Sequence, residues 1–69
     1  MDIKFKLDNE YIELNKLLKV TGLCATGGMA KIVIDQGCVK VDGKTEFRKR
    51  CKIRKGQIID FEEEIIEVE

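Results

Sequence analysis

Residues 36–44 read QGCVKVDGK, and this stretch decides the fold. Gly37 follows a segment of helical periodicity, at the position where a left-handed residue commonly ends a helix. Positions 39–41 then alternate valine with lysine, which is the period of a half-buried strand. Asp42-Gly43 is a strong signal for a two-residue hairpin turn. The stretch therefore predicts a helix that passes directly into a β-hairpin, whose second strand begins at Lys44.

Two short helices are predicted before this hairpin. Leucines at positions 14, 17 and 18 share one helical stripe, and Gly22 follows where a C-terminal cap is expected. This pattern places the first helix at residues 14–21. Thr26 offers a hydroxyl N-cap to a second apolar stripe, which places the second helix at residues 27–36.

Strand patterns occupy the remainder of the chain. Alternation of apolar and charged side chains predicts an N-terminal strand at residues 3–7. Turn signals at Lys55-Gly56 and in the run of glutamates at 62–64 bracket further strands at residues 57–61 and 65–68. The pattern predicts one α+β unit with an N-terminal strand, in which two short helices are followed by a small sheet.

The size and composition of the chain limit its class. A length of 69 residues leaves room for one core, so residues 1–69 are predicted to form a single domain. The apolar runs are far shorter than the about 20 residues that cross a bilayer, and the N-terminus lacks the apolar stretch of a secretory signal. Three widely spaced cysteines do not form a disulfide framework. We therefore expect a cytoplasmic protein with no membrane partner.

The net charge is zero, but the charges are unevenly distributed along the chain. Residues 1–39 carry five basic and five acidic side chains, residues 40–55 carry eight and two, and residues 56–69 carry none and six. If the acidic tail (residues 56–69) lies on a different face from the basic residues, the molecule presents a concentrated positive surface. Such a surface is the footprint that a polyanion recognises.

Three passages together resemble a known family. They are LNKLLK at residues 14–19, GMAK at residues 28–31 and QGCVKVDGK at residues 36–44. They resemble the S-four RNA-binding domain, named after ribosomal small-subunit protein four, and RKRCK at residues 48–52 is most similar to its small stand-alone bacterial members. The resemblance implies the alpha-L motif, in which two short packed helices lead into a small, strongly bent antiparallel sheet. It also implies that RNA is held across the helices and the first hairpin.

The resemblance further implies which residues contact RNA. Basic or polar contacts of the family fall on four lysines of this sequence: Lys16, Lys31, Lys40 and Lys44. Glu13 stands in the place of a frequent family arginine at the start of the first helix, and Gly27 stands in the place of another before the second helix. These departures shift the expected contact toward the basic residues that follow the hairpin.

Residues 48–55, called the basic segment below, place six cations in eight positions: Arg48, Lys49, Arg50, Lys52, Arg54 and Lys55. Guanidinium groups bind phosphate oxygens in pairs, and lysines act as point charges. The basic segment is therefore predicted to bind phosphate. The alternative is a solvated strand or loop face, which is the usual explanation of a charge run, but the family resemblance favours RNA.

Gly27-Gly28 leaves two interpretations open. Glycines at a helix start expose backbone N–H groups to a phosphate, which predicts a second anion site. Alternatively, they serve only a tight turn or close helix packing. A phosphate loop for nucleotides is excluded, because the required Lys-Ser/Thr does not follow Gly27.

The sequence contains little that is typical of a metal site, a cofactor site or a catalytic site. Histidine is absent and no CxxC is present, so no metal site or cofactor is predicted, and Cys24, Cys38 and Cys51 are expected to be small buried apolar residues. Tyr11 and Phe47 either stack on unpaired bases or, as is commoner, pack at the core or its rim. No nucleophile–base pair or small-molecule site is recognisable, so an enzyme is not predicted.

The leading hypothesis is a monomeric, non-enzymatic protein that recognises structured RNA, either ribosomal or transfer RNA, through a basic surface. The alternative is a protein-interaction adaptor whose basic hairpin docks an acidic protein partner, for example on the ribosome.

Overall fold

The computed structural model describes residues 2–69, in which the chain forms seven strands and two helices. In chain order they are β1 (Asp2–Phe5), β2 (Ile12–Glu13), α1 (Leu14–Val20), α2 (Gly27–Asp35), β3 (Val39–Val41), β4 (Lys44–Thr45), β5 (Lys52–Ile53), β6 (Ile58–Phe61) and β7 (Glu64–Val68).

The two helices lie where the sequence predicts them, and each ends one residue earlier than predicted. Gly22 and Gly37 follow the helices with φ angles of 84° and 75°, the left-handed conformation that ends a helix. Thr26 caps α2, because its side-chain oxygen accepts a 3.0 Å hydrogen bond from the backbone N–H of Met29. The helices pack against each other, as the alpha-L motif requires.

A five-stranded sheet forms the second layer, in the order β1-β7-β6-β3-β4. From β7 to β4 the strands pair antiparallel, as predicted. β1 instead pairs in parallel with β7, with Asp2 opposite Ile65 and Phe5 opposite Val68. The sheet is therefore mixed, which corrects the expectation of antiparallel pairing alone. A parallel neighbour requires a long crossover, and here the whole chain between β1 and β7 provides it.

The predicted hairpin turn connects β3 to β4. Asp42 and Gly43 have φ angles of 51° and 84°, which is the turn geometry that suits the twist of a hairpin. The Asp42 carboxylate also accepts hydrogen bonds from the backbone N–H of Ile58 at 2.9 Å and from the side-chain amide of Gln57 at 3.1 Å. These two bonds lower the pKa of Asp42. An ionised carboxylate therefore ties the turn to β6.

A separate antiparallel pairing joins β2 to β5, with Ile12 opposite Ile53 and Glu13 opposite Lys52. This pairing was not predicted, because two residues per strand are too few to display an alternation. β2 leads directly into α1, so the pairing holds the basic segment beside the start of that helix.

The core lies between the helices and the inner face of the five-stranded sheet. Its fully buried large side chains are Leu14, Leu17, Leu18, Ile34, Val39, Ile53, Ile59 and Ile66. Cys24 is buried among them, but Cys38 is exposed and Cys51 is half-buried. The prediction of three buried cysteines is therefore wrong for Cys38, which lies at the surface between the Gly37 helix end and β3. Within residues 2–69, neither helix is long and apolar enough to cross a membrane.

Candidate nucleic-acid interface

The fold attaches the basic segment to the N-terminus of α1 through main-chain hydrogen bonds. The N-cap residue Glu13 makes no side-chain capping bond. Instead, the backbone N–H of Leu14 donates to the carbonyl of Cys51 at 2.9 Å, and that of Asn15 donates to the carbonyl of Lys49 at 3.0 Å. The helix start would otherwise leave these donors unsatisfied. The basic segment is thereby fixed in position relative to α1.

Glu13 lies at the centre of one group of cations. Its carboxylate is 3.9 Å from Lys16 Nζ and 3.9 Å from Arg50 Nε, and Lys52 is its partner across the β2–β5 pairing. Three residues predicted to bind RNA therefore meet here. The Arg50 side chain is 79% exposed. Ion pairs this long and this exposed contribute little, so a phosphate group can compete with Glu13 for these cations.

Arg48 is held by Glu46 more firmly than the other cations are held. Its Nε lies 2.9 Å from Glu46 Oε2, a second nitrogen lies 3.2 Å from Oε1, and its backbone N–H also donates to Oε2. The hydrogen bond from Arg48 is the main reason that the pKa of Glu46 falls to about 2. Although paired, the Arg48 side chain is 77% exposed. It can therefore present its remaining N–H groups to a ligand.

We expect the Glu46 pairing to contribute to stability in a defined range of pH. The pKa of Glu46 is about 2 in the folded protein and 4.5 ordinarily. A lowered folded pKa means that the contribution is complete above pH 4.5 and is lost as the pH falls toward 2. Over that range, the wild type should lose more stability than Glu46→Gln, as measured by urea unfolding at several pH values. Glu10→Gln serves as the matched control, and parallel curves for wild type and Glu46→Gln would contradict the expectation.

An open cleft of about 380 Å³ lies beside this pair. It is lined by Arg48, Arg50, Cys51 and Lys52. Burial is the main reason that the pKa of the Cys51 thiol is raised, so the cleft contains three cationic groups and a neutral thiol. Its chemistry is that of an anion-binding surface.

Two further ion pairs extend the charged region toward α2 and β2. Lys49 Nζ lies 3.5 Å from Asp35 Oδ2 at the end of α2, and Lys31 precedes Asp35 by one helical turn on the same stripe. Arg54 lies 3.6 Å from Glu10. Tyr11 lies beneath the ends of Lys52 and Arg54, 5.0 Å and 5.7 Å from its ring centre. Tyr11 therefore packs against cations at the rim.

The basic segment is less purely positive than its sequence suggests. Four of its six cations pair with carboxylates: Arg48 with Glu46, Lys49 with Asp35, Arg50 with Glu13 and Arg54 with Glu10. None of these four carboxylates belongs to the acidic tail. The predicted positive surface took account of the acidic tail alone and not of Glu46, which lies two residues before Arg48 in the sequence.

Two of the predicted residues lie on the β3–β4 hairpin, away from this cluster. Lys40 lies between the buried Val39 and Val41, so its side chain is on the face of the sheet that points away from the core, beside Asp60 of β6. Lys44 is exposed opposite Val41. Neither lysine takes part in the ion pairs that involve the basic segment. Their contribution to binding stays a prediction.

Gly27 and Gly28 form the first two positions of α2. A Cβ placed on Gly27 would meet nothing within 4 Å, and one placed on Gly28 would come no closer than 3.9 Å to the Thr26 hydroxyl. Neither glycine has a positive φ angle. Close helix packing therefore does not require glycine at these positions, and the anion site stays a prediction.

We expect Gly27→Ala and Gly28→Ala each to stabilise the protein by about 0.4–1 kcal/mol, because alanine restricts the unfolded chain and meets no obstruction here. Thermal unfolding measures this effect. If the N–H groups also bind phosphate, the same variants will bind RNA more weakly despite their higher stability. A fall in the unfolding temperature would contradict the expectation.

The described part of the chain offers no group of three or more His, Cys, Asp or Glu side chains that could hold a metal ion. The three cysteines are free.

Comparison with known proteins indicates the family of this chain. The S4 domain model matches residues 5–69. The chain is similar to the "Putative RNA-binding protein YbcJ" of Escherichia coli strain K12, with 53% identity over 51 residues that cover 74% of this chain and 73% of YbcJ. An uncharacterized YbcJ protein of Shigella flexneri shows the same identity and coverage.

Two solved structures share the fold. The solution structure of Escherichia coli YbcJ, described as revealing an alfaL motif involved in RNA-binding, has a TM-score of 0.73 and 45% identity, covering 94% of this chain and 84% of YbcJ. The crystal structure of the 30S ribosomal protein S4e from Thermoplasma acidophilum has a TM-score of 0.62 and 22% identity, covering 84% of this chain and 31% of S4e. At this identity, the S4e structure is evidence for the fold only and not for the function. Since the family model matches almost every described residue and YbcJ shares both sequence and alpha-L motif, the chain belongs to the S4 domain family.

Proposed function

We propose that this protein is a non-enzymatic module that binds structured RNA, ribosomal or transfer RNA, through the basic segment and the start of α1. The observation that carries the proposal is the cleft at which Arg48, Arg50 and Lys52 converge beside Lys16. Its cations are exposed, and the backbone that carries them is hydrogen-bonded to the start of α1. The similarity to YbcJ, named for RNA binding, supports the same partner.

Phosphate groups compete well for these cations. The carboxylates that pair with Arg50, Lys49 and Arg54 are 3.5–3.9 Å away and the pairs are exposed, so they are weak in water. An RNA backbone offers many phosphates along one line and releases counterions when it binds. We assign the first contacts to Arg48, Arg50, Lys52 and Lys16. Lys49 and Lys31 extend the surface toward α2, and Lys44 and Lys40 extend it along the hairpin.

The proposed protein works as a monomer in the cytoplasm and needs no cofactor. Recognition rests on the shape of the RNA and on its phosphates rather than on base sequence, because the cleft is lined by cations and a thiol.

Crosslinking in cells followed by sequencing of the attached RNA tests the class and the identity of the partner together. Enrichment of ribosomal or transfer RNA is the expected result. In vitro, the affinity of the purified protein for such an RNA should fall with salt with a log–log slope of about −2.8 to −3.6, as for about four phosphate contacts. A featureless crosslink profile, combined with capture of an acidic protein that survives ribonuclease, would favour the adaptor instead.

A further inference from the structure

Phe47 is the most exposed aromatic side chain among the described residues, with 60% of its surface accessible to solvent. It follows β4 and immediately precedes Arg48. One edge of its ring lies against the backbone of Gly37, so close that a Cβ built on Gly37 would be 3.0 Å from Phe47 Cε1 and 3.3 Å from Cζ. Thr45 contacts the same position. The ring is therefore supported on one edge and open over the rest of its surface.

The backbone on both sides of Phe47 is held in place. The N–H of Glu46 donates to the carbonyl of Val39 at 2.9 Å, and the N–H of Arg48 donates to the Glu46 carboxylate at 3.0 Å. A ring held this way loses little conformational freedom when a ligand packs on it. Exposed apolar rings are unfavourable in water, and here the ring does not fold back onto the core.

The surroundings of Phe47 indicate the chemistry of the ligand. Arg48 is adjacent in sequence and exposed, and Lys49 reaches Asp35 at the end of α2. A ligand that covers the ring therefore meets positive charge beside it, which favours a flat group attached to phosphates over an apolar peptide. Tyr11 is a different case, because Lys52 and Arg54 already lie over its ring. In the described part of the chain, no cation lies over the Phe47 ring.

We propose that Phe47 stacks on an unpaired base of the bound RNA, while Arg48 and Lys49 hold the phosphates next to that base. This inference rests on the proposed function and narrows it: the preferred RNA has a paired stem interrupted by an unpaired nucleotide. Stacking on an aromatic side chain tolerates any base. Phe47 therefore adds preference for an RNA shape without reading a sequence.

The test uses two RNA hairpins that differ only in one bulged 2-aminopurine, a fluorescent base whose emission falls when it stacks. The wild type should bind the bulged hairpin more tightly than the fully paired one and quench its emission. Phe47→Leu, which keeps an apolar side chain but removes the ring, should weaken binding to the bulged hairpin roughly tenfold, abolish the quenching and leave binding to the paired hairpin unchanged. Phe47→Tyr, which keeps an aromatic ring, should retain both the tighter binding to the bulged hairpin and the quenching.

Val20→Ala is the matched control, because Val20 is 59% exposed and lies at the last position of α1, at the opposite end of that helix from the proposed surface. It should behave as the wild type with both hairpins, and circular dichroism should show that every variant is folded. Equal binding and equal quenching by wild type and Phe47→Leu would overturn the stacking proposal while leaving the RNA-binding function in place. If the wild type binds neither hairpin, the proposed function fails as well. Loss of a ribonuclease-resistant protein partner in Phe47→Leu, with RNA binding unchanged, would assign the ring to a protein contact instead.

Discussion

Charge reversal at Arg48 and Arg50 together is expected to lower the affinity for structured RNA by roughly a hundredfold or more, because charge-assisted bonds to phosphate become repulsions. Both side chains line the same cleft and both are exposed. The fold should remain intact, since neither side chain packs in the core, although loss of the Glu46–Arg48 pairing lowers the stability of this variant. Fluorescence anisotropy with a labelled RNA at fixed salt measures the loss, and the log–log salt slope of a doubly neutralised variant should become shallower by about two.

The control for this experiment carries the same change of net charge at another place. Lys4→Glu with Lys6→Glu changes one residue of β1 and the residue that follows β1. Both positions are far from the basic segment in the sequence. Lys4 lies beside Glu67 across the β1–β7 pairing, so this variant can lose some stability. It should nevertheless keep most of its RNA affinity. An equal loss in both variants would show that only the total charge matters, and unchanged affinity in the Arg48 and Arg50 variant would end the RNA-binding proposal for this cleft.

Leu17→Ala is expected to destabilise the protein by about 2–5 kcal/mol, because Leu17 is fully buried where α1 packs on the rest of the core. The total stability expected for a domain of this length is only roughly 3–10 kcal/mol. The variant should therefore be largely unfolded or unfold at low urea concentration. Urea unfolding followed by circular dichroism measures the change.

Val20→Ala provides the comparison for Leu17→Ala on the same helix. Val20 is exposed at the last position of α1. Its truncation should change the free energy of unfolding by no more than about 0.5 kcal/mol. If the two variants had similar stability, the assignment of the leucine stripe of α1 to the core would be incorrect.

The elements whose signals are local could be predicted from the sequence. The helix ends at Gly22 and Gly37, the Thr26 cap and the Asp42-Gly43 turn each depend on the conformational preference of one or two residues, and the structure confirms them. The β2–β5 pairing and the parallel β1–β7 pairing were not predicted. Both join segments far apart in sequence, and periodicity contains no information about which distant segment becomes the neighbour.

The residue types of the candidate site could be predicted from the sequence, but their arrangement in space could not. The run of cations could be read from the sequence, and the family resemblance predicted RNA as its partner. The pairing of Arg50 with Glu13 and of Lys49 with Asp35 depends on how the chain folds back on α1 and α2. The support of the Phe47 ring by Gly37 also depends on packing between residues that are not adjacent in sequence.

The parallel pairing of β1 with β7 affects the order in which the sheet can fold. β1 has no partner in the sheet until β7 has been synthesised, and the bonds from Leu7 to Glu69 and from Glu69 to Phe5 join the same two segments of the chain. The partly apolar strand β1 therefore stays unpaired while the elements between it and β7 are being synthesised. Contacts between such distant segments slow folding, and until β7 pairs with it, β1 presents an open strand edge of the kind that promotes aggregation.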